Sequence, residues 1–348
     1  MLAPLTFTAL VALMTFALCF SAKPIGYALS LVDKPAAKAH ALHDAETPLV
    51  GGLAILLPWI FASFVYARVF PVSPASANAA LLSEPLIGLV SFFLILGAVD
   101  DRYHLSARSR LWISAAAYLT IVLKVPVLQL GSISLPDLGV GFSLGYLGIP
   151  FTVLCLVALT NAVNMADGRN ALVIGMCCIW TIALLFRLPD HVQPMALGLL
   201  AALLITGLFN WRGWLFLGDA GTYSLACLIG LWAVWVHNGD LQSGALTSSQ
   251  LATLFAVPAF DMLRLIALRL HLGVPIMSPD RDHLHHRLDR FCGWNVGLAV
   301  YLLAVALPIM LAMSGPQAGL PGLCLAFVLY VVIWAFTRQV ASPAMNPL

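Results

Sequence analysis

The chain has 348 residues, 61% of them hydrophobic and 9% charged, with a formal net charge of +2 at neutral pH. A soluble globular domain carries about 25% charged residues, so a largely water-exposed surface is excluded. The small net charge argues against nucleic acid as a partner, and no run of short alternating strands supports a β-barrel.

Apolar stretches long enough to cross a hydrocarbon core of roughly 30 Å recur along the chain. In order they predict eleven membrane-spanning helices, over 2–22, 49–69, 84–100, 110–127, 148–165, 171–188, 193–210, 219–237, 249–270, 294–314 and 319–337. The expected fold is therefore all-α, a polytopic transmembrane helical bundle. The spans consume most of the chain, so residues 1–348 are expected to form a single integral membrane domain. The first stretch has no basic residue before Lys23, which argues for a retained span over a cleaved signal. Between the fourth and fifth spans, residues 128–147 set apolar positions (Ile133, Leu135, Leu138, Val140) among Gly, Ser and Pro, predicting a short hairpin. Cys19, Cys155, Cys177, Cys178, Cys227, Cys292 and Cys324 follow no metal-ligand spacing and are expected as small buried hydrophobes.

The basic residues set the orientation. With a periplasmic N-terminus, the inner loops and the C-terminal tail hold all of the 17 Lys and Arg residues except Arg68, Lys124 and Arg187. This is the positive-inside bias, and it places the C-terminus in the cytoplasm. The same bookkeeping brings the acids, apart from Glu84, Asp137, Asp190 and Asp240, to that face. The histidines follow, apart from His191 and His237. Every dense polar cluster is thus expected on the cytoplasmic side, which points to an active site there.

Pro48-Leu49-Val50-Gly51-Gly52, preceded by Lys38 and His43, opens the second span. Its glycines offer free N–H groups to an anion, or merely enter a helix. Asp100-Asp101 closes the third span. Adjacent helical residues point in different directions, so one carboxylate can hold a metal while the other faces another ligand. A solvated helix end beside Arg102 is the bland alternative, made costly by the helix dipole. Asn161, Asn164 and Gly168 share one helical stripe, with Asp167 beside it. That stripe suits a base, ribose or metal-bound phosphate, or simple amide contact between helices. Gly218-Asp219-Ala220-Gly221 opens the eighth span after Phe209-Asn210-Trp211, and Asp219 there is either a helix cap or the ligand of a divalent ion. His283, His285 and His286, flanked by Arg281 and Arg287, form a cradle for phosphates or a basic loop near anionic lipid. No His-Glu-x-x-His zinc signature occurs in the chain.

Taken in order, these clusters resemble the polyprenyl-phosphate N-acetylhexosamine-1-phosphate transferase family (glycosyltransferase family 4) over roughly residues 33–290. Its His-x4-Pro-x-x-Gly-Gly is similar to His43, Pro48, Gly51 and Gly52, and its paired aspartates to Asp100 and Asp101. Its Asn-x-x-Asn-x-x-Asp-Gly is similar to Asn161, Asn164, Asp167 and Gly168. Its Phe-Asn … Gly-Asp-Ala-Gly stretch is similar to Phe209, Asn210, Gly218, Asp219, Ala220 and Gly221. Pro258, Phe260, Asp261 and Arg264 resemble its Pro-x-Phe-Asp-x-x-Arg pattern. Asp280, Arg281, His283, His285 and His286 resemble the Asp-Arg-x-His-x-His-His loop of the undecaprenyl-phosphate GlcNAc-1-phosphate transferase-like branch, not the phospho-MurNAc-pentapeptide branch. Two positions depart. Family members commonly continue Asp-Gly-x-Asp-Gly-Leu, where this chain reads Asp167-Gly168-Arg169-Asn170-Ala171-Leu172, and only Lys38 stands for the usual basic run before the first His.

The resemblance implies a multi-pass protein of the bacterial inner membrane. It implies transfer of an N-acetylamino-sugar 1-phosphate from a UDP-sugar to polyprenyl (undecaprenyl) phosphate, releasing UMP and initiating a surface polysaccharide such as O-antigen or capsule. Its implied cofactor is Mg2+, with Mn2+ as the alternative, on Asp219 with Asp100 and Asp167 as further metal candidates. The implied catalytic set is Asp100, Asp101, Asp219, His283, His285 and His286. The implied substrate-binding set is Asn161, Asn164, Asp167, Gly168, Asn210, Arg281 and Lys38. Expected partners are the UDP-N-acetylamino sugar, the lipid phosphate and the membrane, with a homodimer left open. The rival is a transporter of nucleotide sugars or anions, which would carry ionisable groups on broken helices near the midplane, often in repeated halves.

Overall fold

The computed structural model describes residues 2–34, 46–69, 77–239, 245–276 and 282–340. Lys38, His43, Asp280 and Arg281 lie outside the described residues.

Each predicted apolar stretch is a helix. α1 (Leu2–Phe20) turns through 70° into the short α2 (Ala22–Leu29). There follow α3 (Gly51–Val69), α4 (Ala77–Tyr103), α5 (Ala107–Lys124), α6 (Gly148–Ala166), α7 (Leu172–Leu185) and α8 (Gln193–Trp211). The chain continues through α9 (Gly218–His237), α10 (Ser248–Leu272), the short α11 (Leu284–Cys292), α12 (Trp294–Ala312) and α13 (Gly319–Phe336). Among the described residues, seven helices are long and apolar enough to cross a membrane, α3, α6, α8, α9, α10, α12 and α13, and the bent α1–α2 pair makes up to 8. α7, at 14 residues, is shorter, and α5 carries Arg108, Arg110 and Lys124.

Local chemistry sets several ends. The Ser106 hydroxyl accepts from the Ser109 amide at the start of α5, and Thr247 with Gln250 forms a reciprocal capping box at α10. α10 stops at Gly273, whose φ of 68° is left-handed. The predicted hairpin forms from β3 (Ser132–Leu135) and β4 (Val140–Ser143), antiparallel, with Ile133 opposite Phe142 and Leu135 opposite Val140. A second small pair joins β1 (Val32–Asp33) to β2 (Thr47–Pro48).

α9 is the hub. Nearly every residue from Gly218 to Val236 is buried, packed among α3, α4 and α6. Gly97 of α4 meets the backbone of Asp219 and Ala220, and Gly52 of α3 meets that of Gly221, so closely that a methyl at either would overlap it. Small residues let membrane helices approach this way, and here the approach fixes the first turn of α9. The amides of Gly51 and Gly52 donate to the carbonyls of Phe216 and Leu217, each at 2.9 Å. They are spent on the chain entering α9, which answers the anion-or-entry alternative in favour of helix entry.

Candidate active site

The polar clusters converge at one end of the bundle. α4 and α6 deliver Asp100, Asp101, Asn164 and Asp167 at their C-terminal ends, and α9 delivers Asp219 at its N-terminal end. α9 runs antiparallel to both, which is what brings residues 100, 164 and 219 together.

The three acids have different environments. Asp100 is only 2% exposed. Its Oδ1 accepts from the Leu105 amide (2.8 Å), and its Oδ2 from Tyr223 Oη (2.6 Å) and Arg110 Nη1 (3.0 Å). Asp101 accepts the Asp219 and Ala220 amides, one on each oxygen, at 2.8 and 3.1 Å. It therefore serves as an N-cap for α9 supplied from another helix. Asp219 accepts from Asn164 Nδ2 at 2.5 Å on Oδ1, while Oδ2 has Arg110 Nη1 at 3.9 Å. Its side chain is 27% exposed.

Arg110 and Tyr223, absent from the predicted site set, tie this corner together. Arg110 Nη1 also donates to Tyr223 Oη at 3.0 Å. The available signal was the run of arginines after Asp101, but a sequence does not show which of Arg102, Arg108 and Arg110 turns inward. Asn164 holds Thr222 as well as Asp219, at 3.2 Å. Asn161, by contrast, donates to the Val157 carbonyl of its own helix at 2.8 Å and does not join the acids.

The loop after α6 forms the next wall. Asp167 follows the last turn, and burial, then the charge of nearby Asp219, pushes its carboxyl up to about 7. Gly168 lies against His285 and His286, and a side chain there would strike both rings. Ala171 adopts a φ of 66°. Its amide donates to Asn210 Oδ1 at 2.5 Å, while Asn210 Nδ2 donates to the Leu215 carbonyl at 2.9 Å. Asn210 is buried with both ends of its amide bound to backbone, so it clamps the 167–171 loop to the 211–217 turn. Arg169 pairs with Asp289 on α11, and the Asn170 carbonyl accepts from Trp294 Nε1 at 3.1 Å.

The histidines are held from behind by a dense network. Asp261 on α10 accepts from His283 Nδ1 at 2.9 Å and from Tyr330 Oη at 3.1 Å. Arg264 donates to Tyr330 Oη, Asp261 and Asp282, and Arg287 closes a two-pronged pair on Asp282. Burial alone would raise the Asp282 carboxyl, yet the bonds from Arg287 and Arg264 hold it below the ordinary range. His283 stacks on His285 with centroids 5.4 Å apart, and His285 lies 4.2 Å from His286. His285 is buried, and its Nε2 has no hydrogen-bond partner among the described residues. Burial, then His286 and His283, keep its ring well below the usual histidine range, so it is neutral at physiological pH.

The donors fit a hard divalent cation. Asp167 lies near enough to Asp219 to feel its charge, and Arg110 Nη1 is 3.9 Å from Asp219 Oδ2 as a partial counter-charge. Among the described residues no three His, Cys, Asp or Glu form a metal cage. A cation here would take few protein oxygens and complete its shell with water and substrate phosphate, as Mg2+ does. Beside this end begins an apolar cavity of about 510 Å3 between α6, α9 and α10, lined at its near end by Ala162 and Met262 and at its far end by Leu130 and His237.

A family model described as glycosyl transferase family 4 matches residues 85–237. The undecaprenyl-phosphate alpha-N-acetylglucosaminyl 1-phosphate transferase of Yersinia pestis is 30% identical over 319 residues, covering 87% of this chain and 81% of its own length. The probable undecaprenyl-phosphate N-acetylglucosaminyl 1-phosphate transferase of Bacillus subtilis (strain 168) is 30% identical over 278 residues, covering 77% and 72%. The enzyme of Escherichia coli (strain K12) with the same name as the Yersinia one is 29% identical over 314 residues, covering 86% and 79%. The chain therefore belongs to glycosyl transferase family 4, as a membrane transferase of the undecaprenyl-phosphate GlcNAc-1-phosphate transferase branch.

Proposed function

We propose that this chain transfers an N-acetylamino-sugar 1-phosphate from a UDP-sugar to polyprenyl phosphate, releasing UMP as the first step of a cell-surface polysaccharide. The observation that carries the proposal is the meeting of Asp219, Asn164, Arg110, Asp167 and the histidines beside the near end of an apolar cavity. A lipid phosphate whose tail enters that cavity would present its head group to the acids. The active site faces the cytoplasm in this proposal, and the eleven predicted spans form one domain in the inner membrane. α4, α5 and α7 then cross alongside the seven apolar helices and α1.

The second pKa of a phosphate monoester lies near 6, so the lipid phosphate is largely ionised at neutral pH and needs no strong base. Its oxygen forms a new bond to the β-phosphorus, the bond from that phosphorus to the α–β bridging oxygen breaks, and UMP leaves with the electron pair. Charge neutralisation and alignment are then the main tasks. Arg110, fixed by Asp100 and Tyr223, supplies a positioned cation. A Mg2+ ion on Asp219, with Asp167 beside it, would add Lewis-acid neutralisation of the diphosphate. Asn164 fixes the Asp219 carboxylate. His285 and His286, against Gly168, line the loop side, with Asp261 setting the ring orientation of His283. Asn210 acts through the loop it clamps.

The test is purified protein with undecaprenyl phosphate, Mg2+ and a panel of UDP-amino sugars, read by mass spectrometry of the lipid and by UMP release. A sugar-diphospholipid product is expected, lost in Asp219→Asn. Silence across the panel, or transport of UDP-sugar without UMP release, overturns the proposal.

A further inference from the structure

The end of the bundle remote from the acids carries a surface that the proposed reaction leaves unused. α6 runs from the hairpin toward Asn164, and α9 runs from Asp219 to His237. Beyond it, Asn238 Nδ2 donates to the carbonyls of Val127 and Gln129 at 2.7 and 2.8 Å. The β3–β4 hairpin therefore sits at that far end.

Hydrogen bonds fix its depth. The Leu130 amide donates to Thr152 Oγ1, within α6, at 2.8 Å, and the Ser134 amide to Ser248 Oγ, the first residue of α10, at 2.9 Å. Asp137 accepts from Ser249 Oγ at 3.1 Å and from the Leu320 amide at the start of α13 at 3.3 Å. The hairpin thus lies across the entries of three helices long and apolar enough to span.

Alternate residues of a strand share a face. The observed register puts Ile133, Leu135, Val140 and Phe142 on one face, and Ser132, Ser134, Gly141 and Ser143 on the other. Ile133 and Leu135 wall the apolar cavity, together with Ser132 at the start of the strand. Val140 and Phe142 continue the same face outward and are 45% and 51% exposed, with Leu138, Tyr146 and Leu147 exposed around them. The only charged residue from 126 to 147 is Asp137, which is bound to α10 and α13 as above. An apolar, uncharged strand facing water would be an aggregation surface. On α6, which starts just after it, Phe151 lines the cavity beside Ile133 and Leu135, and Leu154 is an exposed apolar residue of the same helix.

We propose that the hairpin is a membrane-inserted lip. Val140 and Phe142 contact lipid hydrocarbon in the leaflet remote from the acids, and Tyr146 sits at head-group level, where amphipathic rings are enriched. The occupant of this face is bilayer lipid, not water and not a partner protein.

The test places photoreactive benzoylphenylalanine at Phe142, at Ser143 on the opposite face and at Leu154 as the outward-facing reference on α6, in the full-length protein in native membranes and in phospholipid nanodiscs. Intact-mass analysis should show phospholipid adducts at 142 comparable to those at 154 and their loss at 143. Adducts at 154 but none at 142, or cross-linking of 142 to another protein in native membranes, overturns the proposal. A second measurement needs no substitution. Hydroxyl-radical footprinting in nanodiscs should leave Phe142 unoxidised while Tyr103 at the other end of the bundle is oxidised; strong oxidation of Phe142 overturns the proposal.

Discussion

Asp101 grips the first turn of α9 from another helix, with its two carboxylate oxygens 2.8 and 3.1 Å from the amides of Asp219 and Ala220. The pair Asp100-Asp101, equivalent by spacing, is thereby divided. Asp101 positions Asp219, Asp100 anchors Arg110 and Tyr223, and Asp219 turns its Oδ2 toward Arg110 Nη1 at 3.9 Å. Asp101→Ala should cost about 1 kcal/mol of stability as a lost cap, and Asp101→Asn, which keeps one acceptor, less. Residual activity of Asp101→Asn should show the wild-type Mg2+ dependence, whereas Asp219→Asn should shift or abolish it. Thermal unfolding and Mg2+ titration of transfer check this; a metal constant moved by Asp101→Asn as far as by Asp219→Asn would make Asp101 a ligand.

Arg110 links three groups through one nitrogen, Nη1: Asp100, Tyr223 and Asp219. Arg110→Ala leaves Asp100 buried without its cation and removes positive charge from the site. A loss of about 100-fold in kcat/KM is expected, the scale for one preorganised charge-stabilising donor. Arg110→Lys keeps the charge but not the planar fork, so it should recover only part of the loss, in KM for the UDP-sugar more than in kcat. Steady-state kinetics on the two variants decide. Full activity in Arg110→Ala would reduce Arg110 to a strut.

The helices and the hairpin were legible in the sequence because apolar runs and a period of two report burial directly. The acids and histidines were legible as residue types, since few reasons other than chemistry place them in such a chain. Their division of labour was not. Whether Asp100 or Asp101 faces the solvent side depends on how α4 packs on α9, which turns on Gly97 and Gly52 and their close approach to another helix's backbone. Asn161 and Asn164 look alike at a spacing of three, yet only Asn164 faces α9. Asn210 reads as a ligand group but is consumed by backbone, and Arg110 gained its place from a tertiary contact more than a hundred residues distant.

Ala171 bears a cost that the departure from the Asp-Gly-x-Asp-Gly-Leu pattern explains. Its φ of 66° lies where a Cβ is disfavoured, and the resembling family has glycine at that place. Ala171→Gly should relieve strain of about 1 kcal/mol, raising the thermal midpoint while leaving the Asn210 clamp intact. Differential scanning of the two proteins in the same detergent gives the answer; a midpoint lowered by the glycine would mean the loop is held without strain.

His285 should make the protein acid-sensitive. The unfolded chain titrates this ring near 6.5, but the folded protein, through burial and the neighbouring His286 and His283, keeps it neutral to much lower pH. Asp261 pulls in the opposite direction and Arg169 in the same one. Below about pH 6.5 the unfolded state therefore binds a proton that the folded state excludes, and stability falls as pH falls, by at most about 1.4 kcal/mol per unit for one group. Above 6.5 both states are neutral and the contribution is flat. His285→Asn removes the titration while keeping a polar group against Gly168, so its unfolding midpoint should drop less between pH 7.5 and about 5.5 than that of the wild type. Identical acid slopes would show that His285 takes up its proton in the folded state, and the neutral ring facing Gly168 would have to be given up.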